Sequence, residues 1–309
     1  MIYLNSIGCY LTENKISNIS RADQFSVDEN FILQKIGMAT LRVKKPEQDT
    51  SDLCVRAYLA LKEKADFHDQ DIDCLIVCTQ NPDSYGLPHV SALVHEKLAL
   101  NNTCAVFDIS LGCSGYVYGL SIIQSFMLAN DFKKGIFITA DPYSKIVDEN
   151  DKNTALLFGD AATATLLSHN DYNSWGIGRF LFGSDGSKHR SIYVDNHSKK
   201  LVMHGREILN FAAKIIPYHI QQTLRKNNLL MNQVDNFIFH QGSKFIVDTI
   251  REMLCLEEEK VPFSAKYYGN TVSSSIPMIL SDISSENKTI LICGFGVGLS
   301  WGSCILNRM

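Results

Sequence analysis

Five short runs in this chain are apolar almost throughout: Leu75 to Cys78, Ala105 to Ile109, Gly135 to Ala140, Phe237 to Phe239 and Thr289 to Cys293. Side chains on a strand point alternately to opposite faces, so a run apolar at every position predicts a strand covered on both sides. Between the runs lie stretches with apolar residues at helical spacing: Leu53 to Lys64, Val90 to Leu98, Tyr116 to Leu128, Glu207 to Leu224, Phe245 to Leu254 and Ile276 to Ile283. Buried strands alternating with amphipathic helices predict α/β layers rather than an all-α or all-β fold.

A second pattern hints at duplication. Phe158-Gly159-Asp160 opens a run of small and apolar residues ending at Leu167, and Phe295-Gly296-Val297-Gly298 opens another ending at Leu306. The expected halves are residues 1–170 and 171–309, with the boundary near 168–176. A chain of 309 residues can bury a core large enough for two intimately packed halves. Its 45% hydrophobic and 20% charged content is that of a globular protein and not a disordered one.

The net charge of −4 gives no general pull toward nucleic acid or an anionic membrane. No apolar run reaches the length of a bilayer span. Met1-Ile2-Tyr3-Leu4-Asn5 has no basic region followed by an apolar segment, so it reads as a first strand rather than a signal peptide. The nine cysteines are odd in number and scattered over apparent core strands, which favours reduced thiols in a cytoplasm over a disulfide framework. Cys74 and Cys78 share one strand face but lie too far apart for a compact chelate, so core packing is expected there and no metal site. Glu257-Glu258-Glu259-Lys260 reads as a solvated connection.

Chemistry enters at Asp108-Ile109-Ser110-Leu111-Gly112-Cys113-Ser114-Gly115-Tyr116. An apolar strand, Cys104 to Ile109, runs into a turn of small residues, and helical spacing resumes through Ile122, Ile123, Phe126 and Met127. Most free cysteines are small buried hydrophobes. Cys113 is set apart by its place at a strand-to-helix junction, where unpaired N–H groups and the helix dipole favour a thiolate over a thiol. Gly112 and Gly115 leave room for a substrate beside the backbone.

An acyl-accepting cysteine needs groups that polarise a second carbonyl and take up developing negative charge. His240 ends the apolar strand Val234 to Phe239, in Phe239-His240-Gln241-Gly242-Ser243. Open α/β sheets place ligands beyond the C-terminal ends of such strands, and histidine is suited to donor and proton-transfer work. Asn270 lies in Tyr267-Tyr268-Gly269-Asn270-Thr271-Val272-Ser273-Ser274-Ser275, where Gly-Asn alone would be an ordinary turn.

Taken in order, these motifs resemble a known family. Cys113 in Asp-(x)4-Cys-Ser-Gly-Tyr, His240 in His-Gln-Gly-Ser, Asn270 in Tyr-Gly-Asn-Thr-(x)-Ser-Ser and the closing Gly-Phe-Gly-Val-Gly-Leu-Ser-Trp-Gly look like the β-ketoacyl-acyl-carrier-protein synthase III family of thiolase-fold condensing enzymes. Phe158-Gly159-Asp160 and Gly183-Ser184-Asp185-Gly186 match further segments, and the likeness runs the length of the chain.

The resemblance implies a thiolase fold, in which two pseudo-repeated halves form five layers in the order αβαβα, and a homodimer. It implies that Cys113 takes the acyl group of a primer thioester, on coenzyme A or an acyl carrier protein. His240 and Asn270 would hold the thioester carbonyl of malonyl-carrier protein as carbon dioxide leaves. The backbone N–H groups of Cys113 and Val297 would form the oxyanion hole, and no cofactor beyond these substrates is implied.

Several positions depart from the family pattern. Phe31 stands where tryptophan is usual and Lys35 where arginine is usual, in a segment that contacts the adenine end of coenzyme A in relatives. Gly242-Ser243 replaces the usual Ala-Asn after His-Gln. Gly205 follows Met203-His204 at a turn that touches the pantetheine arm in relatives. Leu87 aligns with a bulky aromatic that reaches across the dimer in some of them. Carrier proteins are acidic, so a local basic patch is expected, with Arg206, Lys214, Lys244 and Arg251 as candidates.

The expected activity is decarboxylative condensation to a β-ketoacyl thioester. The alternatives are an acyltransferase that passes the group to a hydroxyl or amine of a specialised metabolite, with His240 as general base, and an idle subunit. A Cys-His hydrolase fits less well, because no Asp or Asn orienter accompanies His240 in a papain-like context.

Overall fold

The computed structural model describes residues 1–309. Every apolar run is a strand: Cys74–Cys78, Ala105–Ile109, Lys134–Ala140, Asn236–Phe239 and Thr289–Gly296. Tyr3–Leu11, Ala161–Ser168, Trp175–Ile177, Leu181–Ser184 and Ser300–Arg308 join them in one ten-stranded sheet.

The pairing pattern occurs twice. Cys74–Cys78 runs parallel to Lys134–Ala140, which is antiparallel to Ala161–Ser168, which is antiparallel to Tyr3–Leu11. Asn236–Phe239 likewise runs parallel to Thr289–Gly296, which is antiparallel to Ser300–Arg308, which is antiparallel to Trp175–Ile177 and Leu181–Ser184. Trp175–Ile177 also pairs with Tyr3–Leu11, so main-chain hydrogen bonds run unbroken from one half to the other.

Strand alternation builds the layers. Cys74, Ile76 and Cys78 of the first half and Ile238, Ile290 and Ile292 of the second meet in a central core around the helices Gly115–Ala129 and Ser275–Leu280. The residues between them face the other way. Leu75 and Val77 pack under the helices Thr50–Lys64 and Val90–Lys97, while Phe237, Phe239, Leu291 and Cys293 pack under Gly205–Lys226 and Lys244–Met253. Helices, strands, helices, strands and helices thus stack as five layers, because each central strand has an apolar side chain for both faces.

Local chemistry sets the helix starts. Asp49 and Asp52 exchange side-chain and backbone hydrogen bonds at the head of Thr50–Lys64. Asp108, at the end of its strand, accepts the N–H groups of Val90 and Ser91 at 2.6 and 2.9 Å and so caps the helix Val90–Lys97. The expected helix from Ile276 to Ile283 stops at Leu280, where the Ser281 hydroxyl donates to the Met278 carbonyl at 2.9 Å. Such local bonds favour turns over helix. No helix is long and apolar enough to cross a membrane.

Candidate active site

Cys113 sits in the turn between Ala105–Ile109 and the central helix Gly115–Ala129, and is 5% exposed. The second half presses directly on it. A Cβ built on Gly296 would lie 2.8 Å from both Cβ and Sγ of Cys113, and one on Gly294 would lie 2.6 Å from the Cys113 carbonyl. Glycine at these positions lets the strand approach the sulfur directly. The backbone N–H groups of Val297 and Cys113 favour the charged form and lower the thiol pKa, but burial outweighs them and, with the charge of Asp141, pushes it up to about 12. The expected thiolate is therefore corrected: burial makes the resting group a thiol.

His240 follows the strand Asn236–Phe239 and is 3% exposed. Burial holds its imidazole neutral, with the pKa pulled down to about 3. Nδ1 lies 2.8 Å from the Ser275 hydroxyl, which donates to the Val272 carbonyl at 2.9 Å. With its one proton committed there, the hydroxyl accepts from Nδ1–H; the tautomer is assigned from this network. Nε2 is left without a proton and faces the Asn270 amide nitrogen at 3.4 Å.

Asn270 is placed by its backbone. Gly269 takes φ +85, the left-handed conformation that turns the chain into the site. The Asn270 N–H then donates to the Leu157 carbonyl at 2.7 Å, and its carbonyl accepts from Gly159 at 3.0 Å. Its side-chain oxygen accepts the Val272 N–H at 2.8 Å, which aims the amide nitrogen at His240.

Asp141 is a site residue that sequence reasoning missed. It ends the strand Lys134–Ala140 fully buried, accepting from Gln80 N–H at 2.7 Å, the Ser273 hydroxyl at 2.9 Å and the Thr79 hydroxyl at 3.4 Å. One carboxyl thus ties the turn carrying Asn270 to the strand ends beside Cys113. Burial pushes its pKa up to about 7. The signal was present, since a polar residue just past a buried strand is the same rule that singled out His240.

A cavity of about 430 Å³ brings Cys113, His240 and Asn270 together with Phe31, Lys35, Gly205, Arg206 and Ser243. Phe31 and Lys35 come from the wide turn Phe31–Ile36, and the Lys35 ammonium lies 3.9 Å from the centre of the Phe245 ring. Ser243 also caps the helix Lys244–Met253, its hydroxyl accepting the Ile246 N–H at 3.3 Å. Lys152, exposed at the mouth, is a lining cation that no motif flagged.

Four expected contacts are not in this wall. Leu87 is 86% exposed beyond the turn Asp83–Gly86. Lys214 is exposed on the helix Gly205–Lys226 and does not line the cavity. Lys244 pairs with Asp248 at 2.7 Å, and Arg251 with Glu252 at 3.3 Å and Asp248 at 3.8 Å. The last two are partly neutralised within their own helix, because residues three and four apart are neighbours on a helix surface. The free cations at the mouth are Lys152 and Arg206, with Lys35 lying against an aromatic ring.

Comparison with known proteins gives one consistent result. The family model described as 3-oxoacyl-[acyl-carrier-protein (ACP)] synthase III matches residues 107–186, and its C-terminal counterpart matches residues 224–308. The chain is 32% identical to the β-ketoacyl-[acyl-carrier-protein] synthase III of Oceanobacillus iheyensis over 304 residues, covering 97% of this chain and 96% of that one. It is similar to a crystal structure of a 3-oxoacyl-(acyl-carrier-protein) synthase III, with a TM-score of 0.93 at 29% identity over 99% of both chains. The synthase III of Thermus thermophilus superposes with a TM-score of 0.91 at 28% identity, over 99% of this chain and 98% of that one.

Proposed function

The chain belongs to the β-ketoacyl-acyl-carrier-protein synthase III family of thiolase-fold condensing enzymes, and on that premise we propose that Cys113, His240 and Asn270 carry out its acyl transfer and condensation. The observation that supports this division of labour is their convergence on one cavity, with the Gly296 backbone pressed against the sulfur.

The first step forms a bond from Cys113 sulfur to the primer carbonyl and breaks the donor's thioester bond. Neutral Nε2 of His240 takes the thiol proton, and the donor departs as a thiolate that is protonated by water. The N–H groups of Cys113 and Val297 hold the tetrahedral oxyanion. Nε2–H is now a donor, and with the Asn270 amide it holds the thioester oxygen of a malonyl extender. The extender's carboxylate supplies the counter-charge for the imidazolium. Its bond to the rest of the molecule breaks, carbon dioxide leaves, and the electron pair is held as an enolate. The enolate carbon attacks the acyl-Cys113 carbonyl, the carbon–sulfur bond breaks, and Cys113 recovers its proton from His240. The cycle closes without a cofactor.

Phosphate-bearing donors fit a mouth that carries Lys35, Lys152 and Arg206, so an acyl carrier protein is the proposed extender carrier. A homodimer is proposed across Ala105–Ile109, an edge strand whose apolar side chains are only half-buried in the single chain. The nine unpaired cysteines suit a reducing, cytoplasmic setting. The test is intact mass spectrometry of the protein offered acyl-coenzyme A and acyl-carrier thioesters, with carbon dioxide release from malonyl-carrier protein measured in parallel. Failure of Cys113 to gain an acyl mass, or of carbon dioxide to form, would defeat the reading.

A further inference from the structure

Two backbone N–H groups near the sulfur, those of Cys113 and Val297, have no main-chain acceptor. One belongs to the turn that opens the helix Gly115–Ala129. The other belongs to the turn Val297-Gly298-Leu299, which joins the strands Thr289–Gly296 and Ser300–Arg308. Two donors from such distant segments can hold one oxyanion only if the gap between them is fixed. Packing fixes part of it, since the Gly296 backbone meets the Cys113 sulfur and a Val297 methyl lies 2.8 Å from where a Gly112 Cβ would stand. The main chain of Val297 is less constrained, because glycine stands on both sides of it and Gly298 takes φ +132.

Two buried serines supply what packing leaves out. The Ser300 hydroxyl donates to the Val297 carbonyl at 3.0 Å. Its proton is committed there, so its oxygen accepts from the Ser114 hydroxyl at 2.7 Å. Ser114 directly follows Cys113, so the two hydroxyls bridge the cysteine's own turn to the Val297 turn. Ser114 is 1% exposed and Ser300 7%, which keeps bulk water from competing for either bond. The far end of the Val297 turn is held by reciprocal main-chain bonds between Leu299 and Asp185, at 2.9 and 3.1 Å.

We propose that Ser114 and Ser300 are positioning residues for acyl transfer, which set the gap between the two oxyanion donors. The proposal rests on the Cys113 and Val297 N–H groups being the oxyanion hole of the reaction given above. Neither serine lines the cavity, so both act through Val297 rather than on the substrate. Losing the Ser300 hydroxyl orphans the Val297 carbonyl and the Ser114 hydroxyl together. Losing the Ser114 hydroxyl leaves the bond from Ser300 to Val297 in place, so its effect is the smaller.

The experiment compares two reactions of one sulfur, each followed by mass on the peptide that carries Cys113. The first is acylation by saturating acetyl and butyryl thioesters, on coenzyme A and on a carrier protein. The second is alkylation by iodoacetamide, which needs the thiolate but builds no oxyanion. Ser300→Ala is expected to slow acylation by about 30- to 100-fold and alkylation by less than about threefold. Ser114→Ala should slow acylation by about tenfold, and it carries the same comparison if Ser300→Ala does not fold. The double variant should be no slower than Ser300→Ala alone, because the bridge acts as one unit. Ser300→Thr keeps the hydroxyl and should stay within about threefold of wild type. Equal losses in acylation and alkylation would place the effect at the sulfur and overturn the proposal. A wild-type acylation rate in Ser300→Ala would overturn it too, as would losses that multiply in the double variant. Acylation of wild type by none of the thioesters would instead overturn the assignment of Cys113, and this proposal with it.

Discussion

Cys113 in the first half is fixed by packing, with the backbone of Gly294 and Gly296 pressed against it. His240 and Asn270 in the second half are fixed by hydrogen bonds, through Ser275, the Val272 backbone and, by way of Ser273, Asp141. The central helices reflect the same contrast. Gly115–Ala129 behind the cysteine is 15 residues long, whereas Ser275–Leu280 behind the asparagine turn is 6 and begins with a serine engaged in the site. A group held by packing is sensitive to added volume. A group held by hydrogen bonds is sensitive to a lost partner.

That contrast can be broken in order of expected effect. Cys113→Ser leaves the packing in place and removes the nucleophile, so acyl transfer measured by intact mass should fall by at least about 10³-fold. Retention of a rate within tenfold would remove Cys113 from the chemistry. Asn270→Ala adds no volume, so acylation should persist while carbon dioxide release from malonyl-carrier protein drops about 10²- to 10³-fold. An equal loss in both steps would mean that the two halves are not separable.

Gly296→Ala is the converse. Its new methyl group meets the Cys113 sulfur at 2.8 Å, and acylation should slow by about 100-fold through misplacement of the nucleophile. Normal acylation would show that packing does not hold it. Ser275→Ala frees His240 Nδ1, and carbon dioxide release should slow by about tenfold with its pH profile displaced. Recovery of the profile in Ser275→Thr would assign the effect to the hydroxyl, and an unmoved profile would discard it.

The smallest effect concerns pH and stability. Asp141 holds its proton more tightly when folded, at about 7, than an ordinary carboxyl does. Its stabilising share is present at low pH and is lost as pH rises from the ordinary carboxylate range toward 7. His240 works in the opposite direction. Its folded pKa of about 3 lies below the ordinary value, so stability is lost as pH falls from about 6.5. Asp141→Asn should remove the first step only. Its melting temperature, minus that of wild type, should climb by a few °C, order of magnitude, between pH 4 and 7. A flat difference would place Asp141 outside this coupling.

Much of this architecture was legible in the residues. The strands could be read because each is apolar on both faces, and Cys113 and His240 because each follows the end of such a strand; Asn270, in what alone reads as an ordinary turn, stood out only through the ordered set of motifs. What escaped is chemistry assembled across long separations. Asp141 meets Ser273 across 132 positions, and Ser114 meets Ser300 across 186. No local period records either meeting. Lys244 and Arg251 misled for a related reason: their charge is plain in the sequence, but Asp248, which engages both, becomes their neighbour only once the helix forms.

The protonated thiol of Cys113 has a consequence outside the reaction cycle. Peroxides attack thiolates and largely spare thiols, and climbing the oxidation ladder past sulfenic acid is irreversible for most proteins. On the role proposed above, burial keeps the Cys113 proton in place until a thioester docks, and the sulfur meets oxidants in its charged form for only a brief part of each turnover. The seal that slows the resting cysteine also preserves it between substrates.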